Sequence, residues 1–391
     1  LHTTKTMASF PPMPLLPITS PETIDACKSL PLQPSDIFIC SYPKSGTTWT
    51  QHIVLSLIIA DRRYRFQKEN ESIKATSNQN ITDYHDIDYV HVSDFAPFFE
   101  IDAHWDLENK RLAESVRANH DRLGCRVFNT HLRWEMLPKY SEDQHNNHIE
   151  QNSSTGALRP TCGKFLYVTR NILDVCASFY HHLSNQKEGT YTEGFPRFAR
   201  DWMAGKIPFG SPLHHLLSFA QGFNDNYYSG KDCSGYSVNR PLLLLSYEDM
   251  KLNLREQVLR IIEFLGLQYI PLDVLENELL PTFDFQSMKE NSQKFQPKSV
   301  TWLDGFQFLR NGEVGDGKKL IVAVEEKVGR NDTKSDHHHE NDDRLLHNEY
   351  QAWIENERYS ELVKECLRDV NDDYVYNIFH TAVVLDTEIP K

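Results

Sequence analysis

The stretch SYPKSGTTWTQHIVLSLIIA, Ser41 to Ala60, joins a short apolar run (Ile37–Cys40) to a longer one with helical character. Between them lie Ser45, Gly46, Thr47 and Thr48, small or hydroxyl residues that contribute little to a core. They do leave backbone N–H groups free at a helix start, where the helix dipole is positive, which is the usual setting of a bound phosphate. Lys44 adds a mobile cation. The stretch therefore predicts a strand, a phosphate-binding turn and a helix in succession.

Other segments repeat the alternation. Asp36–Ser41, Cys125–Asn129, Lys164–Thr169 and Leu242–Ser246 are near-continuous apolar runs, the pattern of parallel strands buried on both faces. Helical patterns follow at Thr47–Ala60 and at Ile172–Leu183, the latter with Asn171 as N-cap. Leu254, Val258, Ile261, Ile262 and Leu265 share one helical stripe ended by Gly266. Leu362, Val363, Cys366, Leu367 and Val370 repeat that spacing. The fold class is α/β, a central parallel β-sheet flanked by helices. Residues 1–30, rich in proline over Pro11–Pro21, read as a flexible N-terminal arm and not as a signal peptide. Residues 31–391 read as one domain with a polar insertion at about 320–346, and Gln144–Arg159 reads as a loop.

Composition narrows the function. The chain has 391 residues, 39% hydrophobic and 25% charged, enough for a packed core. A net charge of −14 argues against nucleic-acid or anionic-membrane partners, so an anionic ligand needs a local basic pocket. Seven cysteines without a CxxC pair read as reduced thiols of a cytoplasmic protein. No run is long enough for a membrane span. His337-His338-His339 reads as part of a low-complexity loop, and no metal is expected.

The phosphate-binding turn does not follow the Walker order, because Lys44 precedes Gly46 instead of following the last glycine. A nucleotide kinase is disfavoured on that ground. The octet Tyr42–Trp49 resembles the 5′-phosphosulfate loop of the cytosolic sulfotransferases. The resemblance extends from about Asp36 to about Arg368. VFNTHLRWEMLP (Val127–Pro138) is similar to the segment bearing that family's catalytic histidine, and YVTRNILDVCASFYHH (Tyr167–His182) to its 3′-phosphate segment. LLLSYEDMK (Leu243–Lys251) and FDFQSMKEN (Phe283–Asn291) resemble the adenine-binding segments. FLRNGEVGDGKK (Phe308–Lys319) resembles a degraded RKGxxGDWK motif, and FAPFFE (Phe95–Glu100) an acceptor-pocket segment.

The resemblance implies a P-loop-like sulfotransferase fold and 3′-phosphoadenosine-5′-phosphosulfate (PAPS) as co-substrate. It implies His131 as general base, a role suited to the side chain that titrates nearest neutrality. Lys44 would stabilise the leaving phosphate. Lys44, Ser45, Gly46, Thr47, Thr48 and Trp49 would hold the 5′-phosphate side of the donor. Arg170, Ser178, Arg310, Asn311 and Gly312 would hold its 3′-phosphate, and Trp49, Tyr247 and Phe285 its adenine. Phe98, Phe99, Asn129 and His131 would face a small hydrophobic phenol, alcohol, sterol or amine.

The sequence departs from the family pattern in places. Asn129 stands where the pattern has a lysine beside the histidine, Asn311 replaces the lysine of RKG, and Gly317 the tryptophan of GDWK. The family's dimerisation motif is not recognisable, which leaves a homodimer in doubt. Two alternatives stay open: a bisphosphate-binding protein with impaired catalysis, and a Golgi-type carbohydrate sulfotransferase.

Overall fold

The computed structural model describes residues 10–76, 87–139, 163–228, 241–318 and 346–384, residues 369 and 371 excepted. Four strands form one wholly parallel sheet: β1 (Ile37–Ser41), β2 (Val127–Thr130), β3 (Lys164–Thr169) and β4 (Leu242–Ser246). They lie side by side in the order β2-β1-β3-β4. Ile37 pairs with Val127 on one side and with Lys164 on the other, and Phe165 pairs with Leu242.

Every residue of β1 is buried, as an apolar strand covered on both faces must be. Alternate side chains go to opposite faces. Phe38, Phe128 and Phe165 stack across three strands on one face, with ring centroids 5.0 and 4.8 Å from Phe38. Ile37, Ile39, Leu166 and Val168 line the other, against two helices. These are α2 (Thr47–Thr76) and α4 (Leu254–Leu265). The helix α3 (Ile172–Leu183) follows β3. Its Asn171 cap accepts from the Leu173 amide, and Gly266 closes α4 at φ 73°, both as the sequence predicts.

Two expectations are corrected. Residues 10–30 are not a loose arm where they are described. Pro21–Ser29 forms helix α1, with Thr23, Ile24, Ala26 and Cys27 buried, and Asp102 accepts from the Ser20 amide and the Thr23 hydroxyl. The apolar residues between the prolines supply that packing. The second helix also runs sixteen residues beyond Ala60, because Asp61–Thr76 holds good helix formers and Asp61 anchors the Gln268 and Tyr269 amides. All of the 320–346 insertion except Leu346, the histidine triplet and the 144–159 loop lie outside the described residues.

The chain passes from β1 to β2 on one side and then crosses to β3 on the other. Crevices form at such reversals, beyond the carboxyl ends of the strands. Here those ends carry Lys44 after β1, His131 after β2, Arg170 after β3 and Tyr247 after β4.

Candidate functional site at the carboxyl edge of the sheet

The turn after β1 is strained. Lys44 adopts φ 71° and Gly46 φ 105°. A Cβ at residue 46 would sit 2.8 Å from Tyr247 Cδ2, so only glycine fits. The Ser45 amide, expected to face a phosphate, instead donates to the Tyr42 carbonyl at 3.3 Å, and the Thr50 amide bonds Gly46. That leaves the Gly46 to Trp49 amides at the open end of α2, because the first N–H groups of a helix lack internal acceptors. The Thr47 hydroxyl is tied to Ser41 at 2.5 Å. Trp49 donates from its indole to the Phe283 carbonyl at 2.7 Å, and its ring meets Tyr247 edge-on at 5.5 Å.

The ammonium of Lys44 lies 3.3 Å from His182 Nδ1 and 4.1 Å from the centre of the Phe308 ring. Neither partner is anionic. Burial, followed by the nearby Arg170 charge, pushes the Lys44 pKa down to about 7. The site carries cations with no resident counter-charge on this lysine.

His131 is held at three points. Its Nδ1–H donates to the Ser41 carbonyl at 2.7 Å. Its amide donates to Glu100 Oε1 at 2.7 Å, and its carbonyl accepts from His215 Nε2 at 3.2 Å. This fixes the tautomer and leaves Nε2 unprotonated. The imidazole packs between Phe98 and Phe209, at 5.1 and 5.2 Å. Burial is the main reason its pKa falls to about 4, and the Lys44 charge adds to it. Burial likewise raises the Glu100 carboxyl to about 7.

The Arg170 guanidinium sits over the Tyr247 ring, 4.3 Å from its centre, and donates to the Lys44 and Glu313 carbonyls. Its Nε is buried with no partner among the described residues. Asp174, one turn along α3, accepts from the Gly315 and Gly317 amides at 2.8 Å each. It thereby draws the 310–317 segment onto α3. Ser178 and His182 continue the same face of that helix at spacings of four. Phe285 lies against Gly312, where a Cβ would meet the ring at 2.4 Å.

Most of the residues expected at the site converge at this edge, but four do not take the expected place. Phe99 is 1% exposed and sits in the core against Phe38, Phe128 and Trp105. Strand alternation sends it opposite to Phe98. Asn129 turns its amide onto the Ala96 carbonyl at 2.7 Å, a bond shared with Gln51. The Arg310 guanidinium pairs with Asp316, and Asn311 lies beside the same carboxylate. Gly317 is no mere loss: a Cβ there would lie 2.2 Å from the Leu173 carbonyl. Sequence reading missed Glu100, Asp174, His182, Phe209 and His215. Of these, Glu100 stood inside the Phe95–Glu100 segment and Asp174 and His182 inside the Tyr167–His182 segment, while Phe209 and His215 stood outside every recognised segment.

A family profile described as the sulfotransferase domain matches residues 34–328. The chain belongs to the sulfotransferase family and is a divergent member of it. It is 26% identical to human sulfotransferase 1E1 over 310 residues, 78% of this chain and 85% of that protein. It is 28% identical to rat sulfotransferase 1C2 over 320 residues, covering 79% and 86%. In fold it is similar to mouse sulfotransferase SULT7A1, solved in complex with PAP, at a TM-score of 0.50 and 21% identity, covering 93% and 95%. No helix among the described residues is long and apolar enough to cross a membrane.

Proposed function

We propose that the protein transfers a sulfuryl group from PAPS to a hydroxyl or amine of a small hydrophobic acceptor. The single observation that carries this reading is the tautomer of His131. With Nδ1–H given to Ser41, its free Nε2 is a base beside Phe98 and Phe209 and within the field of Lys44. An apolar wall around a base suits an apolar acceptor with one polar end.

The residues fit the donor. Arg170 offers a buried, unpartnered Nε, and Gly46 keeps a concave turn that any side chain would fill. The amides of Gly46 to Trp49 would hold the 5′-phosphate, Arg170 with Ser178 the 3′-phosphate, and Trp49, Tyr247 and Phe285 the adenine. PAPS supplies the electrophilic sulfur when bound. His131 Nε2 takes the proton of the acceptor as the new S–O bond forms. Lys44 meets the negative charge left on the phosphate oxygen as the old S–O bond breaks. The reading includes a cytoplasmic location, which the cysteines Cys27, Cys40, Cys125, Cys176 and Cys366, none of them in a disulfide, suit.

A second reading is a bisphosphate binder with impaired catalysis. It is favoured by Asn129, whose amide is spent on Ala96 and brings no cation to the transfer site. Incubation with 35S-labelled PAPS and a panel of phenols, sterols and amines, with mass detection of products, separates the two. Labelled product is expected. Tight binding of adenosine 3′,5′-bisphosphate without product from any acceptor would establish the binder instead.

A further inference from the structure

The stripe Asp174, Ser178, His182 on α3 ends in a residue that neither the sequence reading nor the family comparison assigns. His182 faces Lys44 with Nδ1 at 3.3 Å. An ammonium only donates, so this imidazole nitrogen must be the acceptor and His182 is the neutral Nε2–H tautomer. Burial and the Lys44 charge hold its pKa well below the ordinary value, which keeps it neutral. Three rings fix its orientation: Trp302 at 4.9 Å, Phe308 at 6.2 Å and Phe179 at 6.3 Å. Trp302 is itself fixed, since the Leu303 amide donates to the Asn185 carbonyl and the Lys187 amide to Thr301. Phe308 closes the opposite side of the ammonium.

We propose that His182 is a positioning residue for Lys44. It keeps the ammonium on the side of the loop that faces His131, where the sulfuryl group is transferred. The inference rests on the proposed sulfuryl transfer. A lysine side chain has four rotatable bonds and no preferred fork geometry, so without a fixed acceptor its charge is spread over many positions. A preorganised cation requires no reorganisation as charge develops. The hydrogen bond also favours the charged form, opposing the burial and the Arg170 charge that disfavour it. The groups facing this ammonium are Arg170 on the β3–α3 turn, His131 after β2 and His182 on α3.

The test uses His182→Phe, which keeps a ring for Trp302 and Phe308 but removes the acceptor, and His182→Asn, which restores an acceptor atom. Single-turnover rates are measured with 35S-labelled PAPS and 2-naphthol, and the affinity for adenosine 3′,5′-bisphosphate separately. At pH 6, where Lys44 is charged in both proteins, His182→Phe is expected to leave bisphosphate affinity within about threefold while slowing turnover, a deficit that widens to roughly tenfold or more by pH 8.5. His182→Asn is expected to recover most of the rate. Competitive acetylation of Lys44, read by mass spectrometry across pH, is expected to show a lower lysine pKa in His182→Phe than in the parent. This last readout needs no acceptor. An unchanged lysine pKa, or a His182→Phe rate equal to the parent while Lys44→Ala is inactive, overturns the role of His182. A Lys44→Ala variant as active as the parent overturns the catalytic reading of the site instead.

Discussion

The Nδ1 of His131 and the carbonyl of Ser41 are 2.7 Å apart, a bond between the residue after β2 and the last residue of β1. Two adjacent parallel strands thus set the tautomer of His131. His131→Ala is expected to lower single-turnover rate by about 10² to 10⁴, the usual contribution of a general base. Affinity for adenosine 3′,5′-bisphosphate is expected to change little, because no phosphate-binding amide belongs to β2. Turnover near that of the parent would remove His131 from the reaction.

Lys44 leads to a pH dependence of binding. In the free protein its pKa is lowered to about 7, chiefly by burial. A bound phosphate favours the charged form and raises that pKa. The complex therefore holds more protons than the free protein above pH 7, and affinity falls as pH rises, by up to about tenfold per unit. Titration calorimetry in two buffers of different ionisation enthalpy at pH 8 should show proton uptake. Lys44→Met should abolish it. Equal uptake in both proteins would assign the proton to another group.

Glu100 reports on stability. Burial raises its carboxyl from 4.5 to about 7 in the folded chain. A raised folded-state pKa gives stability that is complete below the unfolded value, near pH 4.5, and is lost as pH climbs through 7. The loss at high pH is on the order of 3 kcal/mol. Glu100→Gln keeps an oxygen for the His131 amide and cannot ionise. Its melting temperature should exceed that of the parent at pH 8.5 by several degrees and approach it at pH 5. Parallel melting curves from pH 5 to 9 would show that Glu100 is not the titrating group.

The strands were legible because parallel strands covered on both faces are written as unbroken apolar runs. β3 and β4 begin and end as the sequence predicts. The turn after β1 was legible because its requirement for glycine at residue 46 is local. Phe99 and Asn129 were misplaced for one reason: which way a side chain points depends on strand register, and Phe98 pairs with Asn129 of β2 through an isolated parallel bridge. His182 was not legible as a partner of Lys44. The two are 138 positions apart, and only the crossover from β2 to β3 brings them together.

Gly317 tests whether a departure from the family pattern is a defect. Restoring the aromatic residue by Gly317→Trp would press a side chain into the Leu173 carbonyl, 2.2 Å from the new Cβ. The Gly317 amide would then leave Asp174. The variant is expected to bind adenosine 3′,5′-bisphosphate more weakly, by about tenfold or more, since a displaced segment misplaces the groups beside Arg170. Binding equal to or tighter than that of the parent would mean that the segment can take the family's conformation.

Asn129→Lys is the sharper substitution, because its two consequences have opposite signs. In the apo protein the asparagine amide and Gln51 both donate to the Ala96 carbonyl, and residue 129 is only 8% exposed. Lysine gives up one of those bonds but leaves Ala96 a partner in Gln51. Its ammonium then stands at a buried position, which costs stability without a counter-charge. A drop in melting temperature of several degrees is expected. Once the donor is bound, a phosphosulfate supplies the counter-charge. A charged hydrogen bond to that group is roughly twice as strong as a neutral one. The single-turnover rate at saturating PAPS should therefore rise, and the loss in melting temperature should shrink when adenosine 3′,5′-bisphosphate is added. A slower rate together with an unrecovered melting temperature would mean that the bond from Asn129 to Ala96 holds the 96–98 segment, and with it Phe98, against His131.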